Sequence, residues 1–202
     1  MSEYLAATEI IDWQDSDVLQ LAQRIATSNT NTTAKACFEW VRDNIYHSSD
    51  YKMNPVTCSA SSVLRYKTGF CFAKSHLLAA LLRANSIPTG FCYQRLSVFD
   101  NGSPYSLHGF NAVHLPEFGW YRLDARGNKP GVDAQFSPPE EQLAFKISLA
   151  EEIDCHHIFV EPLGEVVKIL QAYQTWDEML NNLPDVKHEY LASLNQNLLA
   201  SK

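Results

Sequence analysis

Residues 68–78 read Thr-Gly-Phe-Cys-Phe-Ala-Lys-Ser-His-Leu-Leu (TGFCFAKSHLL), a stretch in which a cysteine stands two residues after a glycine. The leucines that follow, up to Leu82, recur at helical spacing, which predicts a helix that begins near Cys71 and packs inward. The sequence NSIPTG (residues 85–90) ends this helix, because the residue before a proline avoids helical backbone angles. The sequence therefore predicts a thiol at a helix N-terminus.

Cys71 is the cysteine best placed to act as a nucleophile. A helix N-terminus favours the reactive thiolate through its unpaired N–H groups and its dipole. Gly69 permits a tight turn before the helix, and the N–H of Cys71 would then face a developing oxyanion. A buried core thiol is the competing interpretation, since free cysteine is among the most buried residue types. That interpretation is favoured for Cys37, which falls mid-helix, and for Cys92, which falls within a strand pattern.

Three strand-like stretches follow the helix, at residues 90–98, 107–115 and 120–124. The turn sequences DNGSPYS (100–106) and PEFG (116–119) separate them. Such short connections join neighbouring antiparallel strands. We therefore expect an α+β fold in which an antiparallel sheet packs against the Cys71 helix.

A cysteine nucleophile needs a general base, and the base needs a third group that fixes its tautomer. His108 begins the second of these predicted strands, and Asp124 ends the third. Counting back from the turn at 116–119 places Asp124 opposite residues 108–110, so its side chain can meet His108 if both share a face of the sheet. His114 lies beside the turn and is too far from Asp124. The predicted catalytic residues are therefore Cys71, His108 and Asp124.

Outside this region the pattern is less regular. We expect a β-segment near 4–11, helices from Ser16 behind a Ser16–Asp17 cap, over 34–45 and over 59–65, a strand near 158–160 and helices within 163–183. The acidic pair Glu140-Glu141 fits the first turn of a helix. Lys74 is expected to be solvated, and Arg126 is a candidate partner for a substrate carboxylate.

Length, charge and cysteine usage narrow the function classes. The 202 residues are expected to form one domain (1–202), and the net charge of −7 argues against nucleic-acid binding. Five cysteines without a CxxC pair favour reduced thiols in the cytoplasm, and neither a signal peptide nor a membrane span is predicted. The sequence DCHH (154–157) is not expected to bind a metal, because adjacent strand residues point to opposite faces.

Three segments, taken in order, resemble the transglutaminase-like superfamily, in particular its bacterial members that carry the label of candidate cysteine protease. They are AKACFEWVRDNIYH (34–47), TGFCFAKSHLLAALLRANSIPTGF (68–91) and HGFNAVHLPEFGWYRLDARGN (108–128). The sequence departs from the commoner family pattern at two places. Gly109-Phe110 stands where many relatives read Ala-Trp after the histidine, and Ala125-Arg126 replaces a frequent Pro-Thr.

The resemblance implies a papain-like α+β fold with a core at about 34–128, an N-terminal helical segment and a C-terminal elaboration (135–202). It implies acyl transfer by a Cys71–His108–Asp124 triad, without a cofactor or a metal. The expected substrate is a peptide-like amide that is hydrolysed. The alternatives are transfer of the acyl group to an amine acceptor, and a non-catalytic binding module of the same fold.

Overall fold

The computed structural model of the protein describes residues 1–200 and contains eight α-helices and eight β-strands in this range. The helices are α1 (Ser16–Ile25), α2 (Thr30–Asn44), α3 (Ser48–Tyr51), α4 (Ala60–Tyr66), α5 (Cys71–Ala84), α6 (Gly164–Ala172), α7 (Trp176–Leu180) and α8 (His188–Ala200). The strands are β1 (Tyr46–His47), β2 (Thr68–Gly69), β3 (Thr89–Ser97), β4 (Tyr105–Leu115), β5 (Gly119–Leu123), β6 (Gln135–Ser137), β7 (Glu140–Gln142) and β8 (Ile153–Phe159). No helix in the described range is long and apolar enough to cross a membrane.

Helix α5 forms the centre of the molecule. All of its residues from Cys71 to Arg83 are buried, so this helix is enclosed by protein on every side rather than on one stripe. The helices α1, α2 and α4 and the strands β3 and β4 pack around it. The predicted α+β fold, with the cysteine helix against an antiparallel sheet, is confirmed.

The main sheet has four antiparallel strands in the order β5-β4-β3-β8. Asn111 on β4 fixes this sheet to the central helix, since its Nδ2 donates to the carbonyl oxygen of Ser75 at 3.1 Å and to that of Gly90 at 3.2 Å. This one buried side chain therefore joins α5, β3 and β4.

Gly109 lets β4 approach the first turn of α5. A β-carbon at this position would lie 2.7 Å from Cδ1 of Phe72, which is closer than such atoms can approach. Because Phe72 follows Cys71 directly, the glycine controls how near the strand comes to the start of the helix. This contact gives a physical reason for a glycine at this position.

The N-terminal helices begin at side-chain caps. Asp15 caps α1 by accepting hydrogen bonds from the N–H groups of Asp17 and Val18, so the cap lies one residue before the predicted one. Asn29 caps α2 in the same way, and this helix begins four residues earlier than predicted. The chain then pairs β1 with β2, and His47 lies beside Gly69 in the turn before α5.

Two local predictions are wrong. The expected β-segment at 4–11 is absent from the described residues, and a 3-10 helix covers Ser2–Leu5 because the N–H groups of Tyr4 and Ala6 bond to nearby carbonyls. The pair Glu140-Glu141 begins no helix but forms the hairpin strand β7, where Glu141 binds Arg122 of β5 at 2.7 Å.

Candidate active site

Cys71 is the first residue of α5 and lines a cleft of about 510 Å³. Its side chain is largely buried, with 9% of the residue exposed. The preceding residue, Phe70, gives no side-chain hydrogen bond to the N–H groups of the first turn. These N–H groups therefore present positive partial charge where the thiol meets the cleft.

His108 on β4 and Asp124 after β5 form a buried pair, with 2.7 Å between Nε2 of the histidine and Oδ2 of the aspartate. The register pairs Asn111 with Leu123, so the next residue, Asp124, continues the line of β5 opposite Phe110. Sequence reasoning placed Asp124 opposite residues 108–110, and the structure brings the two side chains into contact there.

Asp124 is held by two further hydrogen bonds. Its Oδ1 accepts from the N–H of Arg126 at 3.0 Å, and its Oδ2 also accepts from the N–H of Ala144 at 3.1 Å. Burial favours the neutral acid, but the charge of His108 and these hydrogen bonds together lower the pKa of Asp124 below its ordinary value. The carboxylate is therefore ionised at neutral pH although only 1% of the residue is exposed.

His108 and Cys71 line the same cleft and interact electrostatically. Burial disfavours the imidazolium, but the charges of Asp124 and Cys71 and the hydrogen bond to Asp124 raise the pKa of His108 above its ordinary value. Since Nε2 binds Asp124, Nδ1 is the ring nitrogen that remains for the thiol. The imidazole of His108 is thus hydrogen-bonded to the Asp124 carboxylate and lies close enough to the Cys71 thiol to interact with it electrostatically.

Aromatic rings cover the histidine. Phe110 stacks on the imidazole with centroids 5.8 Å apart, and Phe145 meets it edge-on at 4.9 Å. Phe145 belongs to residues 143–147, which we call the covering segment, and Ala144 of the same segment donates to Asp124. The covering segment therefore limits water access to the His108–Asp124 hydrogen bond.

His47 also lines the cleft, although sequence reasoning found no role for it. Its Nδ1 lies 3.1 Å from the hydroxyl of Ser49, and its ring packs edge-on against Phe70. Burial, followed by the charge of Arg126, lowers the pKa of His47 well below its ordinary value, so the ring is neutral. Its position at the end of the first family-like segment, beside the Gly69 turn, is the signal that could have identified it.

Of two expectations about basic residues, that for Lys74 is wrong and that for Arg126 stays a prediction. Lys74 is not solvated: it is 1% exposed, and its ammonium donates to the carbonyl oxygens of Ile45 and Arg42 at the end of α2. The Arg126 guanidinium is already paired with Asp50, at 2.7 Å. Both residues line a second cavity beside the cleft.

Two other histidines and the four other cysteines have structural surroundings. His76 is fully buried against Phe91, and His114 packs edge-on against Trp120. All four other thiols have a pKa raised by burial, to about 12 for Cys37, to about 11 for Cys58, and in the same direction for Cys92 and Cys155. Burial thus favours the unreactive thiol form at each of these four cysteines.

Comparison with known proteins bears on the family and the fold of the chain. Residues 19–125, just over half of the chain, match the transglutaminase-like superfamily. No curated protein matches the sequence. Among solved structures, a candidate cysteine protease from Cytophaga hutchinsonii superposes with a TM-score of 0.50 at 21% identity, over 61% of this chain and 40% of that one.

The periplasmic domain of TgpA from Pseudomonas aeruginosa superposes with a TM-score of 0.45 at 19% identity, over 60% of this chain and 45% of that one. The chain thus aligns with less than half the length of either structure, and at these identities the Cytophaga likeness concerns the fold alone. The sequence match covers helix α5, which carries the sulfur of Cys71. It also covers strands β3, β4 and β5 of the main sheet, of which β4 carries the imidazole of His108. The chain belongs to the transglutaminase-like superfamily.

Proposed function

We propose that this protein is a cysteine-nucleophile acyl-transfer enzyme that hydrolyses a peptide-like amide bond. The observation that carries the proposal is the buried His108–Asp124 hydrogen bond, whose histidine interacts with a thiol at the start of a helix in the same cleft. Membership of the superfamily supports the general kind of enzyme. The assignment of the three catalytic roles rests on the geometry and the chemistry of these groups.

In the first half of the reaction, the Cys71 thiolate attacks the carbonyl carbon of the amide and forms a C–S bond. The protonated His108 then gives its proton to the amide nitrogen, the C–N bond breaks, and an amine leaves. Asp124 holds the imidazole in orientation and stabilises its positive charge. The product of this half is a thioester on Cys71.

In the second half, neutral His108 removes a proton from water, and the hydroxide attacks the thioester carbonyl. The C–S bond breaks, the thiolate is restored, and a carboxylic acid is released. An amine in place of water would instead form a new amide, which is the transglutaminase or acyltransferase alternative. Water is our proposal for the acceptor, and five free thiols fit a reducing compartment such as the cytoplasm.

The negative oxygen that develops on the carbonyl needs hydrogen-bond donors. The N–H of Cys71 at the start of α5 is the first donor in this proposal, since the cap residue leaves the N–H groups of the first turn without a side-chain partner. We assign the second donor to His47, which is buried in the same cleft and neutral. A neutral imidazole that accepts from Ser49 at Nδ1 carries its proton on Nε2 and can donate it.

The experiment that tests this proposal begins with the thiol. Iodoacetamide at pH 6 is expected to alkylate Cys71 much faster than the four other cysteines, whose pKa values are raised by burial. Mass spectrometry of digested protein identifies the labelled site. If Cys71 reacts no faster in the folded chain than after denaturation, the nucleophile assignment is wrong.

A library of peptide amides and thioesters, tested with and without an added amine, then separates the alternatives. Release of a carboxylic acid that the Cys71→Ala variant cannot produce supports hydrolysis. Incorporation of the amine supports transfer. A reactive Cys71 without any turnover across the library would favour the binding module.

A further inference from the structure

A second cavity, of about 360 Å³, lies beside the cleft and shares three wall residues with it: His47, Arg126 and Lys129. Lys74 lines this cavity but not the cleft. We call it the basic cavity. Its four Lys and Arg residues outnumber its two acidic residues, Asp43 and Asp50, in a chain whose net charge is −7.

The two carboxylates of the basic cavity are already engaged. Asp50 accepts from Arg126 at 2.7 Å and from Lys129 at 2.6 Å, so one negative charge is shared by two cations. Asp43 binds Arg42 through both carboxylate oxygens, at 2.7 and 2.9 Å. Both carboxylates attract Lys74 at longer range, but neither forms an ion pair with this further cation.

Lys74 is that further cation. Its Nζ donates to two backbone carbonyls, those of Ile45 and Arg42, and within residues 1–200 no carboxylate forms an ion pair with it. An ammonium has three donors, so two carbonyl partners leave one donor unused. A buried charge with only neutral partners is costly, and burial, followed by the charge of Arg126, lowers the pKa of Lys74 to about 7.

Gly127 keeps space open next to this ammonium. A β-carbon at Gly127 would lie 3.3 Å from Nζ of Lys74, and the residue has a φ of +111°, which side-chain-bearing residues rarely adopt. Both Gly127 and Lys74 are part of the cavity wall. The space beside Nζ is thus left empty by the backbone itself.

We propose that the basic cavity binds a carboxylate of the substrate, held by Lys74, Arg126 and Lys129. This inference rests on the proposed function, because the shared walls place the cavity next to Cys71 and an amide bound in the cleft would carry the carboxylate into it. The substrate class is then an amide with an acidic side chain or a free C-terminal carboxylate close to the cleaved bond. The carboxylate supplies the counter-charge that Lys74 lacks and accepts its third hydrogen bond.

The test uses N-acetylglycine, which has an amide and a carboxylate, and its neutral counterpart N-acetylglycinamide. Each is titrated into the full-length protein at pH 6, and binding is followed by calorimetry and by NMR shifts. We expect the carboxylate compound to bind at least about tenfold more tightly than the amide, as expected for a hydrogen bond to a charged group. Equal affinity of the two compounds, or no binding of either, would overturn the proposal.

Three variants locate the site. Lys74→Met is expected to weaken N-acetylglycine binding by about tenfold or more. Asp50→Asn is expected to strengthen it, because Arg126 and Lys129 lose their internal carboxylate partner. Lys168→Met is the matched control, since Lys168 is exposed on α6 and lines neither the cleft nor the basic cavity, and the affinity of this variant should equal that of the unchanged protein.

These outcomes separate this inference from the proposed function. Binding requires no turnover, so the Cys71→Ala variant should bind N-acetylglycine as well as the unchanged protein does. Unaltered affinity in both Lys74→Met and Asp50→Asn would exclude the cavity as the binding place. If Lys74→Met fails to fold, Asp50→Asn alone decides, because its effect has the opposite sign.

Discussion

At the scale of single residues, the charge of Asp124 is the main attraction that keeps His108 protonated against the effect of burial. Replacement of Asp124 by asparagine removes that charge but keeps a hydrogen-bonding side chain of the same shape. The pKa of His108 should therefore fall. NMR titration of the His108 ring measures this pKa directly, and an unchanged value would contradict the assigned pairing.

The same Asp124→Asn variant should also lose activity, by roughly 10²- to 10⁴-fold, the usual contribution of a positioned acid–base group. The rate of the unchanged enzyme should decline at high pH as His108 loses its proton. In the variant this decline should move to lower pH, because the pKa of His108 is lower. A pH–rate profile of kcat/KM measures the shift.

The proposed role of His47 as an oxyanion donor rests on its position in the cleft. If it donates to the developing oxyanion, His47→Ala should lower kcat by about 10²- to 10³-fold with little change in KM. His47→Gln keeps an N–H donor and should recover much of the rate. Similar rates for the alanine and glutamine variants would indicate that the ring serves only to pack against Phe70.

Some of these residues could be interpreted from the sequence, and others could not. His108 and Asp124 could be matched because a short turn fixes the register of two neighbouring strands, and register determines which residues face each other. Lys74 could not be interpreted in this way. Its partners are backbone carbonyls at the end of α2, which carry no side-chain signature, and lysine is ordinarily solvated.

At the scale of elements, the contact between β4 and α5 depends on the absence of a side chain at Gly109. In Gly109→Ala the new β-carbon would lie 2.7 Å from the Phe72 ring, so the strand and the helix must separate. We expect a loss of about 1–3 kcal/mol in the free energy of unfolding, as for other overpacked positions. Activity should fall as well, because Phe72 follows Cys71. Urea denaturation measures the first effect.

Gly164→Ala is the matched control for this variant. Gly164 is the first residue of α6, and no atom lies within 4 Å of a β-carbon built there. Its stability should be unchanged or slightly higher, since alanine favours helix. Equal stability of the two variants would show that β4 and α5 tolerate a larger separation than the close contact indicates.

The elements differ in how well their sequences define them. Helix α5 and strands β3 to β5 were predicted because apolar periodicity and turn residues agree along that stretch. The hairpin β6–β7 was missed because its strands are only three residues long and contact side chains of β5: Glu141 binds Arg122, and the N–H of Ser137 donates to the hydroxyl of Tyr121. Helix α8 was also missed; it packs on β8 and belongs to a part of the chain outside the family match.

At the scale of the whole molecule, buried histidines make stability depend on pH. His76 donates from Nδ1 to the carbonyl of Cys58 at 2.8 Å, and its Nε2 has no partner among the described residues. Burial lowers the pKa of His76 to about 4, so the unfolded chain binds a proton between about pH 6.5 and 4 while the folded chain does not. Stability should therefore fall as the pH decreases through this range.

The difference in the pKa of His76 between the folded and the unfolded chain changes the free energy of unfolding by up to about 3 kcal/mol over that interval. Because His47 and the carboxylates contribute in the same direction, the test compares two curves of unfolding free energy against pH. The curve for His76→Gln should be flatter than that of the unchanged protein between pH 6.5 and 4, whatever its absolute stability. Parallel curves would contradict a buried, neutral His76 whose Nε2 has no partner among the described residues. Above pH 6.5, His108 has the opposite effect on stability. Its pKa is raised in the folded chain, so the folded chain loses stability as His108 deprotonates.

The hydrogen bond from Ala144 to Asp124 has a consequence for the boundaries of the functional unit. The family match ends at residue 125, yet Ala144 and Phe145 complete the surroundings of the carboxylate and the imidazole. A chain shortened to the recognisable core would keep all three reacting side chains and still leave their hydrogen bond open to solvent. We therefore expect the smallest portion of the protein with the proposed activity to be longer than the portion that matches the family.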